Sequence, residues 1–393
     1  MERLPLHHFP LQNRELEQTD LMLSREPCFG DPFILFGSRD PGSANAMLPI
    51  IRSLGQKHVS IGVMTDSRAK EIIMREFSKN FIRYHDISPL SQIMHMKPDT
   101  IVVGLTSFQP GIDLALTANA KIDGVPTVWV EDYPGGIFPH YFGELNTIQW
   151  IQPDFLCVAN EWAKMKELDA NPAFPPENVI VTGLPNLDKI VKEDKIGTRS
   201  RVREALGISP EEMMVVYMGI PSEANLETLR ALVQAMRHFP HLLFRFVNRR
   251  HPRDMVDQVF HDSVMDVIRD RIVDTSSFST DEIGLSADLV VTTYSTTGIE
   301  SVYRQIPTLH ILIPEVMAKA ESNNIEDPIV VQDGASPCAR TRDEIAPLLD
   351  RFFSDRDFLS TLASRMQRWQ VDGKAADRIA DLVFECARKH HAV

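Results

Sequence analysis

The chain has 393 residues, 43% of them hydrophobic, and a formal net charge of −13, so it is long enough for two domains with separate cores. The negative charge argues against broad nucleic-acid binding, which needs clustered Lys and Arg. Four scattered cysteines show no zinc spacing, and no window approaches the roughly 20 apolar residues that span a bilayer. We therefore expect a reduced cytoplasmic protein without a transmembrane segment, and peripheral association with a membrane is compatible with this composition.

The first half of the chain alternates short apolar strands with helices. Residues 1–29 are a polar leader that lacks the basic region and apolar run of a signal peptide. The predicted strands are PFILFG, HVSIGVMT, DTIVVGLT, VPTVWVED and NVIVTG, and DFLCVANEWAKMKEL contains a strand and then a helix. The other predicted helices are SANAMLPIIRSLG, DSRAKEIIMREFSK and GIDLALTANAKIDG. This alternation is typical of a parallel sheet with helices on both faces, here over residues 30–190.

A charged segment, NLDKIVKEDKIGTRSR, interrupts this pattern and is interpreted as a linker to a second lobe, residues 191–372. The strands predicted in that lobe are MMVVYMG, HLLFRFVN, DRIVDTS, ADLVVTT and TLHILI, and the helices are EANLETLRALVQAMRHF and GIESVYRQ. An amphipathic helix, KAADRIADLVFECARKH, lies within residues 373–393. The predicted fold class is α/β, with two tandem doubly wound lobes whose strand ends face a cleft.

Three polar segments follow strands of the second lobe, and together they predict a nucleotide site. TTYSTTGIE offers hydroxyls and N–H groups at a helix start, which favours an anion. NRRHPRD supplies cations that could face that anion, and MGIPSE has a glycine where a nucleotide could approach the backbone. The candidate residues are Gly219, Arg250, His251, Ser295, Thr296, Thr297, Gly298 and Glu300.

Each of these features also has a structural interpretation. Ser and Thr before a helix are commonly caps, an Arg/His cluster is commonly a solvated turn, and an early Glu is commonly part of a capping box. The coincidence of three such segments at strand ends of one lobe favours a ligand.

Two loops of the first lobe are candidates for an acceptor site. FGSRDPGSAN is a glycine-rich turn without a nucleotide-binding fingerprint, and it contributes Gly37, Ser38 and Gly42. VEDYPGGIFPHYFGE is polar and aromatic, and it contributes Tyr133 as an acceptor contact. Its acids could be helix caps, but a general base that takes a proton from an acceptor hydroxyl fits equally well. The candidates for that base are Glu131, Asp132 and His140.

Several of these segments resemble one superfamily. DLVVTTYSTTGIES and RQIPTLHIL are similar to the donor-binding part of GT-B glycosyltransferases and their relatives, which include CDP-glycerol and polysialic acid transferases and UDP-N-acetylglucosamine 2-epimerases. NVIVTGLPNLDKI resembles the segment before their interlobe linker, and DGKAADRIADLV resembles their final helix, which returns to the first lobe. The resemblance implies that residues 295–298 hold donor phosphates, that Gly219 lies beside the nucleotide and that Glu300 lies near the ribose. It also matches Arg250 and His251 to an HP turn whose histidine contacts the donor phosphates.

The departures from the epimerases are equally informative. Where those enzymes carry His-Arg-Arg-Glu-Asn this chain has MGIPSEAN, and where they carry His-Gly-Asp it has VGLTSF, although Glu131 falls where one epimerase carboxylate would. We therefore predict a glycosyltransferase that moves a sugar from a nucleotide-sugar donor to a sugar, glycan or lipid-linked acceptor, without a metal or cofactor. The alternatives are a sugar-nucleotide epimerase or hydrolase, a CDP-polyol phosphotransferase, and a bilobal binding protein. The oligomeric state stays open, and a homodimer is compatible with the sequence.

Overall fold

The computed structural model describes residues 30–65, 67–77, 82–85, 96–104, 112–135, 151–220, 224–251, 258–321 and 327–392. The predicted leader, residues 1–29, and the candidate base His140 lie outside the described residues. The chain divides into two compact units: unit 1 contains Met1–Asp188 and Lys374–Val393, and unit 2 contains Lys189–Gly373. Among the described residues, no helix combines the length and the apolar character needed to cross a membrane.

Unit 1 is built on a seven-stranded parallel sheet in the order β3-β2-β1-β4-β5-β6-β7. Its strands are β1 (Phe33–Ser38), β2 (Ser60–Thr65), β3 (Arg83–His85), β4 (Thr100–Gly104), β5 (Thr127–Val130), β6 (Phe155–Val158) and β7 (Val179–Val181). Its connecting helices are α1 (Pro41–Leu54), α2 (Ser67–Glu76), α3 (Ile112–Asp123) and α4 (Glu161–Ala170). The central strands are buried along nearly their whole length, which explains why they are almost continuously apolar.

Unit 2 is built on a five-stranded parallel sheet in the order β12-β11-β10-β8-β9. Its strands are β8 (Met213–Met218), β9 (Phe244–Arg249), β10 (Leu289–Thr292), β11 (Thr308–Ile311) and β12 (Cys338–Ala339). Its helices are α5 (Lys195–Ala205), α6 (Ala224–Met236), α7 (Gln258–Met265), α8 (Thr280–Ser286), α9 (Thr296–Tyr303), α10 (Pro314–Glu321), α11 (Ile329–Gln332), α12 (Arg342–Ser354) and α13 (Arg356–Met366). The strand order reverses between β8 and β10, because β9 lies on the other side of β8.

The final helix, α14 (Ala375–His391), belongs to unit 1 and packs against α1. Its residues Ile379 and Val383 are fully buried in the unit 1 core. The Asp188 carboxylate accepts hydrogen bonds from the Ala375 and Ala376 N–H groups at 3.0 and 2.8 Å, where the partial positive charge of the helix end favours an anion. The predicted return of this helix to the first lobe is confirmed.

Several elements differ from the sequence prediction, and the helices α7, α8 and α10–α13 and the short strand β12 were not predicted. The strand predicted at DRIVDTS is wrong: its first two residues belong to a 3-10 helix, Asp266–Arg271, and Ile272 makes only an isolated bridge to Phe246. The short edge strand β3 was not predicted. Helix α5 begins inside the segment interpreted as a charged linker, and its arginines pair with carboxylates distant in sequence, such as Asp288.

Candidate active site

The carboxyl ends of three unit 2 strands lie side by side in register. Met218, the last residue of β8, pairs with Thr292 at the end of β10 and with Arg249 at the end of β9. The Thr292 hydroxyl donates to the Met218 carbonyl oxygen at 2.8 Å and so ties two of these ends together. Open parallel sheets usually bind ligands at the carboxyl edge where the strand order reverses, which here lies between β8 and β10.

The turn from β10 into α9 is a capped helix start with an exposed hydroxyl residue. Ser295 is the N-cap: its Oγ accepts from the Thr297 N–H at 3.2 Å and lies 3.1 Å from Thr297 Oγ1. The Gly298 N–H donates to the Ser295 carbonyl oxygen at 3.0 Å, while Thr296 is exposed. The capping interpretation of Ser295 therefore holds. The turn still offers an anion the positive end of the α9 dipole and the Thr296 side chain, and phosphate binding stays a prediction.

Packing accounts for both glycines among the candidate donor residues. A Cβ on Gly298 would lie 2.6 Å from the Thr292 methyl group and 2.9 Å from Nε2 of the buried His310. A Cβ on Gly219 would lie 2.9 Å from Oδ1 of the buried Asn225. The absence of a side chain at both positions lets neighbouring elements approach the strand ends closely.

Two candidate cations follow β9 directly. Arg250 and His251 are half-buried and come immediately after Arg249, at the same sheet edge as the β10–α9 turn. The Arg249 guanidinium has structural partners, because it donates to the Thr275 carbonyl oxygen at 3.1 Å and to the Thr280 hydroxyl at 3.2 Å. Arg250 and His251 remain the candidates for a phosphate contact.

Glu300 belongs to an ion network around the buried Arg304. Arg304 donates to Glu300 at 3.1 Å, to Glu193 at 2.8 Å and to Asp281 at 3.1 Å. Burial lowers the pKa of Arg304, but the hydrogen bonds and charges of these carboxylates raise it by more, so its pKa lies above the usual value. The Glu300 side chain is 31% exposed, and its contact with a ribose stays a prediction.

In unit 1, Asp132 and Asp40 meet at the first turn of α1. Asp40 caps this helix by accepting from the Ser43 N–H at 2.8 Å. A Cβ on Gly42 would lie 3.4 Å from Asp40 Oδ1 and would overlap Asp132 Oδ2, so Gly42 leaves space for the Asp132 carboxylate. Burial, and then the charge of Asp40, raise the pKa of Asp132 to about 7. A carboxyl group that titrates near neutral pH suits a general base.

Glu131 is held in a different way. It is 1% exposed, its Oε2 accepts from the Ala159 N–H at 2.6 Å, and its Oε1 accepts from the Gly135 N–H. Burial, and then the nearby Glu167, raise the pKa of Glu131 well above its usual value. Glu131 thus links the loop after β5 to the segment after β6 through hydrogen bonds. Because both of its oxygens already accept hydrogen bonds from N–H groups, the geometry favours Asp132 as the base.

The four candidate acceptor contacts divide into two pairs. Gly42 and Tyr133, which is 37% exposed, lie beside Asp132. Ser38 is buried and its Oγ hydrogen-bonds to Ser43 Oγ at 2.9 Å, whereas a side chain on Gly37 would overlap Leu116. Ser38 and Gly37 therefore have packing roles, and acceptor binding by Gly42 and Tyr133 stays a prediction.

The sequence analysis did not identify two residues that contact candidate site residues, Asp40 and Arg304. Asp40 could have been recognised, because an Asp directly before Pro41 is a common helix start. For Arg304 the sequence offered only the i,i+4 spacing from Glu300, because its other partners, Glu193 and Asp281, are distant in sequence. Across the described part of the chain, no group of three or more His, Cys, Asp or Glu side chains is placed to hold a metal ion. Metal independence stays a prediction.

The fold is similar to those of solved enzymes at low sequence identity. The UDP-GlcNAc 2-epimerase from Neisseria meningitidis, bound to UDP-GlcNAc, is 14% identical with a TM-score of 0.64, and the match covers 90% of this chain and 100% of that one. The wall teichoic acid polymerase TagF is 13% identical with a TM-score of 0.57, and the match covers 96% of this chain and 94% of that one. S. aureus MnaA, solved with UDP, is 15% identical with a TM-score of 0.57, and the match covers 88% of this chain and 94% of that one. Among curated proteins, none is similar enough in sequence to count as a match.

A family match places the chain more narrowly. Residues 150–385, well over half of the chain, match the family described as CDP-Glycerol:Poly(glycerophosphate) glycerophosphotransferase. The match includes all of unit 2 and begins after the unit 1 loop that carries Glu131 and Asp132. Together with the structural similarities, it confirms the predicted α/β fold and the relationship to the GT-B superfamily. The chain belongs to the CDP-glycerol:poly(glycerophosphate) glycerophosphotransferase family, a family of transferases.

Proposed function

We propose that the protein transfers a polyol phosphate, such as glycerol phosphate, from a CDP-activated donor to a hydroxyl of a sugar, glycan or lipid-linked acceptor. The observation that carries this proposal is the edge of the unit 2 sheet. There, three strand ends in register bring the β10–α9 turn to the same edge as Arg250 and His251. The family match covers this whole edge, and the family name specifies a CDP-activated polyol.

The proposed reaction needs a base and a site for the leaving phosphate, and unit 1 and unit 2 contain residues suited to these two roles. The acceptor hydroxyl oxygen forms a bond to the β-phosphorus of the donor, the bridging P–O bond breaks, and CMP leaves with the electron pair. Asp132 takes the hydroxyl proton, which its pKa of about 7 permits at neutral pH. The N-terminus of α9, Thr296, Arg250 and His251 stabilise the negative charge that develops on the leaving phosphate.

Sugar transfer and epimerisation compete with this proposal, and the leaving group separates them. Attack at phosphorus releases a nucleoside monophosphate, whereas attack at a sugar carbon releases a nucleoside diphosphate. The decisive experiment incubates the protein with CDP-glycerol or UDP-GlcNAc, with and without a polyol phosphate or lipid-linked sugar acceptor, and identifies the nucleotide released.

Acceptor-dependent release of CMP from CDP-glycerol supports the proposal. Release of UDP from UDP-GlcNAc supports sugar transfer, and conversion of UDP-GlcNAc without an acceptor supports an epimerase or hydrolase. Nucleotide binding with no turnover under any of these conditions supports a binding protein. Each of the last three results overturns the proposed reaction.

A further inference from the structure

Among the described residues, two of the buried polar atoms without a hydrogen-bond partner lie at the ends of the strands that flank β8. They are Oγ1 of Thr293, a residue that is 1% exposed, and Oδ1 of Asn248. Thr293 directly follows β10, and Asn248 is the penultimate residue of β9. Because β9 and β10 are the two neighbours of β8, one such atom lies on a strand that flanks β8 and the other lies directly after the second flanking strand.

The lack of partners has an energetic cost that calls for an explanation. A polar group buried without a hydrogen bond costs about 1–3 kcal/mol. Close neighbours of Thr293 have partners: the Thr292 hydroxyl donates to the Met218 carbonyl oxygen, and the Ser295 hydroxyl accepts from the Thr297 N–H. The hydroxyls of Thr292 and Ser295 thus have partners at this turn, whereas that of Thr293 has none among the described residues.

We infer that Thr293 and Asn248 bind the nucleoside diphosphate part of the donor, an inference that rests on the proposed function. The Thr293 hydroxyl can donate to a phosphate oxygen at the same turn that Ser295 caps. The Asn248 oxygen is an acceptor and requires a donor from the ligand, such as a ribose hydroxyl or an amine of the base. Donor binding thus completes two hydrogen bonds that the described residues leave open.

The test uses CDP as the probe and Thr293→Val as the first variant, which keeps the shape and removes the hydroxyl. In the free protein this change removes an unsatisfied polar group, so Tm should stay the same or rise. The Kd for CDP should rise about 10-fold, which corresponds to about 1.4 kcal/mol. Thr293→Ser keeps the hydroxyl and should bind CDP nearly as the wild type does. Asn248→Leu should also raise the Kd for CDP.

Thr65 offers a matched control. It ends β2 in unit 1, is 2% exposed, and its Oγ1 also has no partner among the described residues, so Thr65→Val should leave the Kd for CDP unchanged. Equal CDP affinity in wild type, Thr293→Val and Asn248→Leu overturns the inference. If Thr293→Val does not fold, Thr293→Ala gives the same comparison. Failure of the wild type to bind CDP is a separate result, which overturns the proposed function and with it this inference.

Discussion

The carboxyl edges of the two sheets differ in charge at the helix start that follows the reversal of strand order: it is acidic in unit 1 and neutral in unit 2. In each unit a helix begins just after a strand that borders the reversal of strand order: α1 follows β1 in unit 1, and α9 follows β10 in unit 2. Both helix starts carry the same partial positive charge from the backbone. In unit 1 the cap is the carboxylate of Asp40 with Asp132 close by, whereas in unit 2 it is the neutral Ser295 followed by the exposed Thr296.

We attribute the different proposed roles of the two edges to the residues at the helix starts rather than to the fold, because both edges have the same parallel-sheet architecture. The carboxylates of Asp40 and Asp132 at the start of α1 would repel a phosphate there. Burial, and then the charge of Asp40, raise the pKa of Asp132. The neutral cap of α9 leaves its partial positive charge available to an anion. The comparison therefore supports a base in unit 1 and a phosphate site in unit 2.

The largest expected effect comes from removing the proposed base, Asp132. Asp132→Asn keeps the shape of the side chain but cannot take a proton, so turnover should fall by about 10²–10⁴-fold. The Kd for CDP should stay close to that of the wild type, because the proposed donor site lies in unit 2. Product formation and CDP affinity should be measured on the same preparations.

Glu131→Gln is the matched control for that variant. The Glu131 carboxylate accepts from the Ala159 and Gly135 N–H groups, and Gln would turn an NH₂ towards one of them. We expect a loss of about 1–3 kcal/mol in the free energy of unfolding and a smaller loss of turnover in the folded fraction. Turnover that survives Asp132→Asn but not Glu131→Gln would reverse our assignment of the two acids.

The second prediction concerns a variant that gives the start of α9 in unit 2 a carboxylate, as the start of α1 in unit 1 has. Thr296→Asp places a carboxylate in the first turn of α9, which should stabilise the helix by about 0.3–1 kcal/mol. The same charge should weaken CDP binding by ~100-fold or more, because like charges about 4 Å apart repel by roughly 4 kcal/mol at an effective dielectric constant of about 20. Thermal unfolding and calorimetric titration with CDP measure the two effects. A variant that is more stable and still binds CDP normally would place the anion elsewhere.

Much of the fold was predictable, because continuous apolar segments such as β1 and β4 have the composition of buried parallel strands. The failures arose where tertiary contacts decide the structure. Helix α5 resembles a charged linker because its arginines pair with Asp288 and Glu282, residues far along the chain. The segment after Arg271 has strand-like composition but bridges β9 at a single residue pair.

The candidate site was predictable in its location and less so in the roles of its residues. Strand ends followed by hydroxyls, cations or acids are visible in the sequence, and parallel strands bring such ends to one edge. The sequence could not separate Asp132 from Glu131, because that difference depends on burial and on the N–H groups that face Glu131. Nor could it show that Gly298 makes room for His310.

The third prediction separates the two roles of the β10–α9 turn. Ser295→Ala removes the N-cap, so it should lower the free energy of unfolding by about 1 kcal/mol as well as weaken CDP binding. Thr296→Ala removes an exposed side chain that is not the cap, so it should weaken CDP binding with little change in stability. A hydrogen bond to a charged phosphate contributes about 1.5–3 kcal/mol, which sets the scale of both losses. If both variants bind CDP normally, the turn is only a cap.

The smallest expected effect is a shift in pH dependence, and it tests the influence of Asp40 on Asp132. Asp40→Asn keeps a good N-cap for α1 but removes the charge that, after burial, raises the pKa of Asp132 to about 7. Because the base must be deprotonated, kcat/KM should fall as the pH drops through that pKa, and the midpoint of this fall should lie at lower pH in the variant. Asp355→Asn is the control, since Asp355 caps α13 in unit 2 and should leave the profile unchanged.

Stability gives an independent measure of the same charge. The pKa of Asp132 is higher in the folded protein than the usual value of about 4 for Asp in an unfolded chain. The folded state therefore binds the proton more tightly, and the free energy of unfolding should decrease as the pH rises from about 4 to about 7. Asp40→Asn should reduce this decrease, and Asp132→Asn should remove its contribution and make the protein more stable than the wild type at pH 8. If all three proteins lose stability equally over that range, Asp40 does not raise the proton affinity of Asp132, and the acidic edge of unit 1 loses its proposed part in catalysis.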